Sequence, residues 1–215
     1  MTLTISITSD FICPWCLVAE SRLNKAIEQL DPTVVIERIW YPFELNPDMP
    51  AAGMDRKLYR STKFGSWEYS QQLDAQTVQA TRSDDVEFHY DQMEITPNTF
   101  NAHRLTWFAG QSGLATKMAV RILQAYFSEG QNISNIDTLA TLAIEIGLEE
   151  TAVRDFLTSK AGRQEVRALE QRAIAQGVHS VPTIRIGDEI VSGAQSVEAL
   201  TATLQRAVSV LKETA

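Results

Sequence analysis

The sequence predicts an α/β fold in which a βαβ unit opens the chain, helices fill its middle and a ββα unit closes it. Alternating apolar residues, typical of strands, occur near both ends, at Leu3–Ile7 and Thr183–Ile186. Between the two ends, apolar residues recur mostly at helical spacing. The chain has 215 residues, which suits one or two domains of about 150 residues each.

The first elements form the βαβ unit. Leu3, Ile5 and Ile7 alternate with polar residues and predict a strand, and a helical pattern follows it. Pro14 suits the first position of that helix, because its φ is already helical and its missing N–H is not needed there. Val34–Tyr41 predicts a second strand. Such a unit implies parallel strands joined by a right-handed crossover.

The middle of the chain is predicted to be helical, and a shorter ββα unit follows it. Ser83–Pro97 is acidic and irregular, which predicts a solvated loop. The order of the predicted elements is therefore βαβ, then helices, then ββα. The remaining predicted elements are two helices within Met54–Arg82 broken near Gly65, helices over Asn98–Ala109, Leu114–Phe127, Asn135–Ile146, Glu149–Leu157 and Gly162–Gln176, strands over Thr183–Ile186 and Glu189–Val191, and a last helix from Ser196 to about Leu211.

Composition excludes several classes of partner. The formal net charge is -8, whereas proteins that bind nucleic acid or anionic membranes present a basic face. No apolar run approaches the roughly 18 residues that a membrane span requires. Residues 1–10 contain no Lys or Arg and no small-residue cleavage pattern, so we expect no signal peptide. We therefore expect a cytoplasmic protein.

The chain has only two cysteines, Cys13 and Cys16, and they lie at the strand-to-helix junction. In the cytoplasm such a pair is more often catalytic or metal-binding than structural. Cys13 precedes Pro14 and becomes the helix cap, where the helix dipole favours a thiolate, the attacking form of cysteine. Cys16 lies one turn inside the helix, where we expect it to be more buried and to have a higher pKa. The spacing predicts an exposed nucleophile and a buried resolving thiol.

A zinc site is the main alternative for the cysteine pair. Structural zinc usually has four ligands, and His89, His103 and His179 are scattered without a second paired spacing, so we predict no metal. His103 is predicted to be a surface or satisfied core histidine. Asp10 and Glu44 could assist proton transfer to Cys16 if they were buried nearby, although capping and solvation are the simpler roles.

Two further segments are candidates for contact with a partner. Val181-Pro182-Thr183 directly precedes the penultimate strand. Trp15 lies between the cysteines and is predicted to be an exposed apolar contact. Four apolar residues at the end of the second strand belong either to the core or to a groove: Tyr41, Phe43, Leu45 and Met49.

The Cys-x-x-Cys after the first strand and Val181-Pro182-Thr183 before the penultimate strand resemble the thioredoxin fold with a helical insertion, as in DsbA-like proteins. The resemblance implies that residues 1–45 and 178–215 form a discontinuous thioredoxin-like domain and that residues 46–177 form an all-helical insertion domain. It also implies that the bond before Pro182 is cis, although most X-Pro bonds are trans, and that the proline loop packs beside the cysteines. The chain is most similar to the FrnE-type branch, which is related to 2-hydroxychromene-2-carboxylate isomerases and kappa-class glutathione transferases. The residues that carry this resemblance are Asp10–Cys16, Trp40, Phe43–Pro47, Asn98–Thr99, Ala102–Leu105, Val181–Thr183 and Ser192–Gln195.

The sequence thus predicts an enzyme, a thiol-disulfide oxidoreductase with disulfide isomerase as a related activity. Cys13 would attack a disulfide and Cys16 would resolve the mixed disulfide. The predicted substrate-binding residues are Pro14, Trp15, Val181 and Pro182. The expected partners are protein or small-molecule thiols and disulfides, with no cofactor, with glutathione as a candidate redox partner, and with a monomer or homodimer as the assembly.

Two other functions stay open at this point. The first is a glutathione-dependent isomerase or transferase, in which position 13 would bind or activate the glutathione sulfur. Relatives of that type usually carry serine there and lack the second thiol, so the presence of Cys13 and Cys16 disfavours it. The second is a non-catalytic, redox-sensing holdase that would use the apolar surface of the insertion.

Overall fold

The terminal segments of the chain form one four-stranded sheet. The computed structural model describes residues 1–213. Parallel strands β1 (Thr2–Ser9) and β2 (Val35–Pro42) are joined by helix α1 (Pro14–Ile27), as predicted. Near the other end, β5 (Thr183–Ile186) pairs antiparallel with β1, and β6 (Glu189–Ser192) pairs antiparallel with β5. The strand order is therefore β2-β1-β5-β6, and helix α9 (Val197–Glu213) follows it.

The segment between β2 and β5 is mainly helical. Its prediction as all-helical is wrong at one place, where β3 (Met54–Asp55) and β4 (Ile95–Thr96) form an antiparallel ribbon. Two-residue strands are too short to show an alternating pattern, so the sequence gives no signal for them. The predicted break at Gly65 is confirmed. The helices are α2 (Arg56–Phe64), α3 (Trp67–Ala80), α4 (Phe100–Gly110), α5 (Ala115–Phe127), α6 (Ile136–Glu145), α7 (Glu150–Thr158) and α8 (Arg163–Ala175).

One face of the sheet is apolar and packs on α1 and α9. Ile5 and Ile7 of β1 join Leu23, Ile184 and Leu204 in one buried cluster. Because side chains alternate along a strand, the residues between them point to the opposite face of the sheet. That opposite face is mostly polar over β1 and β5, and it borders the C-terminal part of α8.

A second buried cluster joins the cysteines to the helices of the insertion. It contains Phe11, Cys13 and Cys16 from the N-terminal unit together with Leu105 of α4 and Ile122 of α5. This shared core holds the helical segment firmly against the start of α1. The division into domains at residues 45/46 and 177/178 stays a prediction.

The loop between α3 and β4 is not simply a solvated acidic segment. Asp84 is buried, and both of its carboxylate oxygens accept hydrogen bonds of 2.7 Å from the guanidinium of Arg22 in α1. The prediction of a solvated loop is wrong at this residue because the sequence pattern does not reveal its distant partner. No helix within residues 1–213 is long and apolar enough to cross a membrane.

Candidate active site

Cys13 caps the N-terminus of α1. Its backbone is extended (φ -93°, ψ 110°), and Pro14 takes the first helical position, as predicted. The first turn of the helix carries no acidic side chain. The unpaired N–H groups and the dipole of the helix therefore favour negative charge at this end without an opposing carboxylate.

Both cysteines are free thiols, and both are buried, at 6% exposure for Cys13 and 3% for Cys16. The prediction of an exposed nucleophile is therefore wrong for Cys13. Its Sγ packs against the proline loop, where it donates a long hydrogen bond of 3.6 Å to the carbonyl oxygen of Val181. Cys13 is reached instead through a pocket that it helps to line.

Cys16 has the character expected of a resolving thiol. Burial raises the pKa of Cys16 well above its ordinary value, and the neighbouring Cys13 raises it further. The hydroxyl of Ser9 and the backbone of Asp10 act in the opposite direction and do not offset burial. Cys16 is therefore a neutral thiol at pH 7, which confirms the predicted higher pKa.

The proline loop and the cysteines meet although they are far apart in sequence. The Val181–Pro182 peptide bond is cis. The carbonyl of Pro182 accepts from the N–H of Gly193 at 2.9 Å, and the hydroxyl of Thr183 donates to the carbonyl of Ser180 at 2.7 Å. These bonds hold Val181 beside Cys13. The substrate-binding roles of Pro14, Trp15, Val181 and Pro182 stay predictions.

A pocket of about 440 Å³ opens beside Cys13, between the start of α1 and helices α2 and α3. Trp15 is 37% exposed and lines it, which confirms the prediction that this side chain is accessible. Of the four apolar groove candidates at the end of β2, only Leu45 lines this pocket. The other side chains that line it include Asn46, Tyr59, Arg60, Lys63, Phe64, Leu73, Asp74 and Tyr126.

Cations outnumber carboxylates around this pocket. Asp74 accepts from Arg56 at 2.6 Å and from Arg60 at 2.7 Å. Lys63 donates to the hydroxyl of Tyr59 at 2.9 Å and has no carboxylate partner within the described chain. This cluster was not predicted from the sequence, although residues 56, 60 and 63 share one face of a helix. Two cations, Arg60 and Lys63, and one carboxylate, Asp74, thus line the pocket in a protein whose net charge is -8.

The buried groups Asp10, His103 and Glu44 behind the cysteines have partners within the protein, although Oε1 of Glu44 has none within residues 1–213. Asp10 accepts from the N–H of Leu45 at 2.7 Å and lies 3.3 Å from Nε2 of His103, whose ring lies against Phe11. His103 is therefore a satisfied core histidine, as predicted. Glu44 pairs with Arg167 and is not solvated; burial raises its pKa, and the nearby arginine opposes that shift. Within residues 1–213, no three His, Cys, Asp or Glu side chains converge to hold a metal ion.

The chain is similar to known proteins over most of its length. The chain is 31% identical over 195 residues to the uncharacterized protein YwbO of Bacillus subtilis, and the match covers 90% of this chain and 92% of that protein. A structure described as a probable DsbA oxidoreductase from Streptomyces coelicolor superposes with a TM-score of 0.87 at 26% identity, covering 96% of this chain and 90% of the other.

Two more distant structures show the same fold. A 2-hydroxychromene-2-carboxylate isomerase gives a TM-score of 0.72 at 17% identity, with 99% of both chains covered. The cytosolic disulfide reductase DsbM from Pseudomonas aeruginosa, determined with GSH, gives 0.65 at 17% identity, with 99% of this chain and 98% of DsbM covered. The family model described as the DSBA-like thioredoxin domain matches residues 4–205. The chain is therefore a member of the DSBA-like thioredoxin domain family.

Proposed function

We propose that the protein is a thiol-disulfide oxidoreductase that works through a mixed disulfide at Cys13. One observation carries this proposal: Cys13 lies at the N-terminus of α1 and in the wall of an open pocket, while the neutral thiol of Cys16 lies behind it. This geometry gives the two thiols unequal access to a substrate. Membership of the family supports the same class of chemistry.

In the reducing direction, the Cys13 thiolate attacks one sulfur of a substrate disulfide, and the other sulfur leaves as a thiolate that takes up a proton. Cys16 then loses its proton and attacks Cys13 Sγ, and the bound substrate sulfur leaves as a second thiolate. Two electrons pass from the enzyme dithiol to the substrate disulfide. The reverse sequence oxidises a substrate dithiol.

Trapping of the mixed disulfide tests the mechanism directly. In the Cys16→Ser variant the first attack is retained and resolution is lost, so we expect a covalent adduct at Cys13 after incubation with glutathione disulfide. Intact mass spectrometry would show one added glutathione, released by dithiothreitol. The Cys13→Ser/Cys16→Ser double variant is the control and should gain no mass. Absence of the adduct in Cys16→Ser would contradict the proposal.

The pocket supports a small, anionic thiol or disulfide as one substrate class. The two cations of the pocket, Arg60 and Lys63, outnumber its one carboxylate, Asp74, and suit the carboxylates of such a molecule. Glutathione, which carries two carboxylates, is a reasonable candidate redox partner. The apolar side chains of Trp15 and Leu45 at the same pocket suit a protein substrate as well.

Lys63 provides a specific test of this substrate class. We expect Lys63→Gln to raise the KM for glutathione disulfide about fivefold, because one partly exposed charge contact contributes roughly 1 kcal/mol. The value of kcat should change little, because a contact made equally with the bound substrate and with the transition state changes KM alone. Lys160→Gln, at an exposed position outside the pocket, removes the same charge and serves as the matched control. Equal KM values for the two variants would argue against recognition of carboxylates at this pocket.

We further propose that the protein works in the cytoplasm, where glutathione is available. A glutathione-dependent isomerase remains the second enzymatic candidate, because one structure with the same fold is a 2-hydroxychromene-2-carboxylate isomerase. Retention of both thiols favours the oxidoreductase. A holdase, by contrast, would keep its function when Cys13 is replaced.

A further inference from the structure

A polar pocket of about 720 Å³ lies on the sheet face that α1 and α9 do not cover. The C-terminal end of α8 and the segment before the proline loop form its other walls. Its lining is rich in hydroxyl groups and contains two arginines, Arg172 and Arg185. Among the described residues that line it, none carries a carboxylate. No role in the proposed redox reaction requires this pocket.

The two arginines of this pocket differ from most others in the protein. Arg22, Arg38 and Arg206 each have a carboxylate oxygen within 2.7 Å, whereas neither Arg172 nor Arg185 has an ion-pair partner in the part of the chain that the structure describes. Arg172 lies in the last turn of α8, where the helix dipole supplies about half a negative charge. Arg185 on β5 has no such compensation, so the pocket keeps a net positive charge.

Hydroxyl side chains of β1 and β5 lie on the same face of the sheet as Arg185. In the β1–β5 pairing, Thr8 is opposite Thr183 and Ser6 is opposite Arg185, so all four side chains share one face. Thr8 and Thr183 are only 5% and 7% exposed. The hydroxyl of Thr183 already donates to Ser180, whereas that of Thr8 makes no hydrogen bond within residues 1–213. Because Thr8 lines the pocket, its hydroxyl can donate to an oxygen acceptor bound there.

We propose that this pocket binds a small polyanion, a molecule with two or more carboxylate or phosphate groups. Two guanidinium groups offer paired donors that match carboxylate and phosphate oxygens, and the hydroxyls supply further donors. Ser180 and Thr183 line the pocket, while Val181 between them contacts Cys13 through its carbonyl. The ligand would therefore lie behind the proline loop, apart from the pocket at Cys13.

Isothermal titration calorimetry with citrate and with pyrophosphate, at constant ionic strength, tests the proposal. We expect one equivalent of at least one probe to bind with a Kd below about 1 mM. Arg172→Gln and Arg185→Gln should each weaken binding at least about fivefold, since each removes one charged contact. Arg82→Gln is the matched control, because Arg82 is exposed, lies outside the pocket and has no ion-pair partner in the described chain.

Three results would overturn the proposal. The first is no saturable binding of either probe up to about 10 mM, which corresponds to less than about 3 kcal/mol of binding free energy. The second is an equal loss of affinity in Arg82→Gln. The third is unchanged affinity in both Arg172→Gln and Arg185→Gln. Neither guanidinium group makes a hydrogen bond within residues 1–213, so its replacement removes no internal hydrogen bond. Both variants should therefore keep the wild-type melting temperature. Cys13→Ser should bind the probe as wild type does, which separates this site from the redox function.

Discussion

Replacement of Cys13 by serine is expected to slow reduction of insulin disulfides by about a thousandfold or more, to the uncatalysed rate. A serine hydroxyl is not ionised at neutral pH and cannot form a mixed disulfide. Cys16 cannot take over the attack, because it is 3% exposed, does not line the pocket at Cys13 and has a raised pKa. Insulin turbidity in the presence of dithiothreitol, against an enzyme-free blank, gives the measurement.

The matched control for this prediction is the melting temperature of the same variant. The Sγ of Cys13 makes only a weak, 3.6 Å hydrogen bond to Val181, so the Cys13→Ser variant should unfold close to the wild-type temperature. Loss of activity in a folded variant would then report the chemistry of the thiol. Retention of catalysed insulin reduction by the folded variant would contradict a mechanism that forms a mixed disulfide at Cys13.

The parts of the site that depend on local sequence could be predicted. A proline after Cys13 predicts where the helix starts, and the strand patterns before the cysteine motif and after its helix predict the βαβ unit. The contact between Cys13 and Val181 joins residues 168 positions apart, and no local sequence pattern relates them. It was expected only from the resemblance to the thioredoxin fold. The structure supplies that contact and the unequal environments of the two thiols.

Burial and charge balance could not be predicted in the same way. Cys13 is buried because a distant loop packs on its sulfur, and Asp84 is buried because Arg22 reaches it from α1. The net charge of the pocket at Cys13 depends on which cations pair with Asp74. The sequences of α2 and α3 do not reveal these pairs. Such properties belong to tertiary contacts.

Arg104 of α4 is the strongest example of a residue whose role only the structure reveals. It is fully buried at 0% exposure and has no carboxylate partner within the described residues. Its guanidinium donates to the carbonyls of Phe156 at 2.9 Å and Leu157 at 3.2 Å, in the last turn of α7. It also donates to the carbonyls of Ser159 at 3.0 Å and Ala161 at 2.7 Å beyond that helix. One side chain thus caps carbonyls at and beyond the end of α7, of which, within residues 1–213, only that of Phe156 also accepts from Ser159.

We expect Arg104→Met to lower the free energy of unfolding by about 3 to 5 kcal/mol, as when one partner of a buried charged network is removed. Methionine keeps an unbranched apolar stem, so the loss reports mainly the carbonyls left unsatisfied at the end of α7. Urea denaturation followed by circular dichroism gives the measurement. Arg154→Met, which removes exposed ion pairs to Asp137 and Glu150, should cost less than about 1 kcal/mol. If the two variants lost equal stability, Arg104 would not be the group that holds α7 against α4.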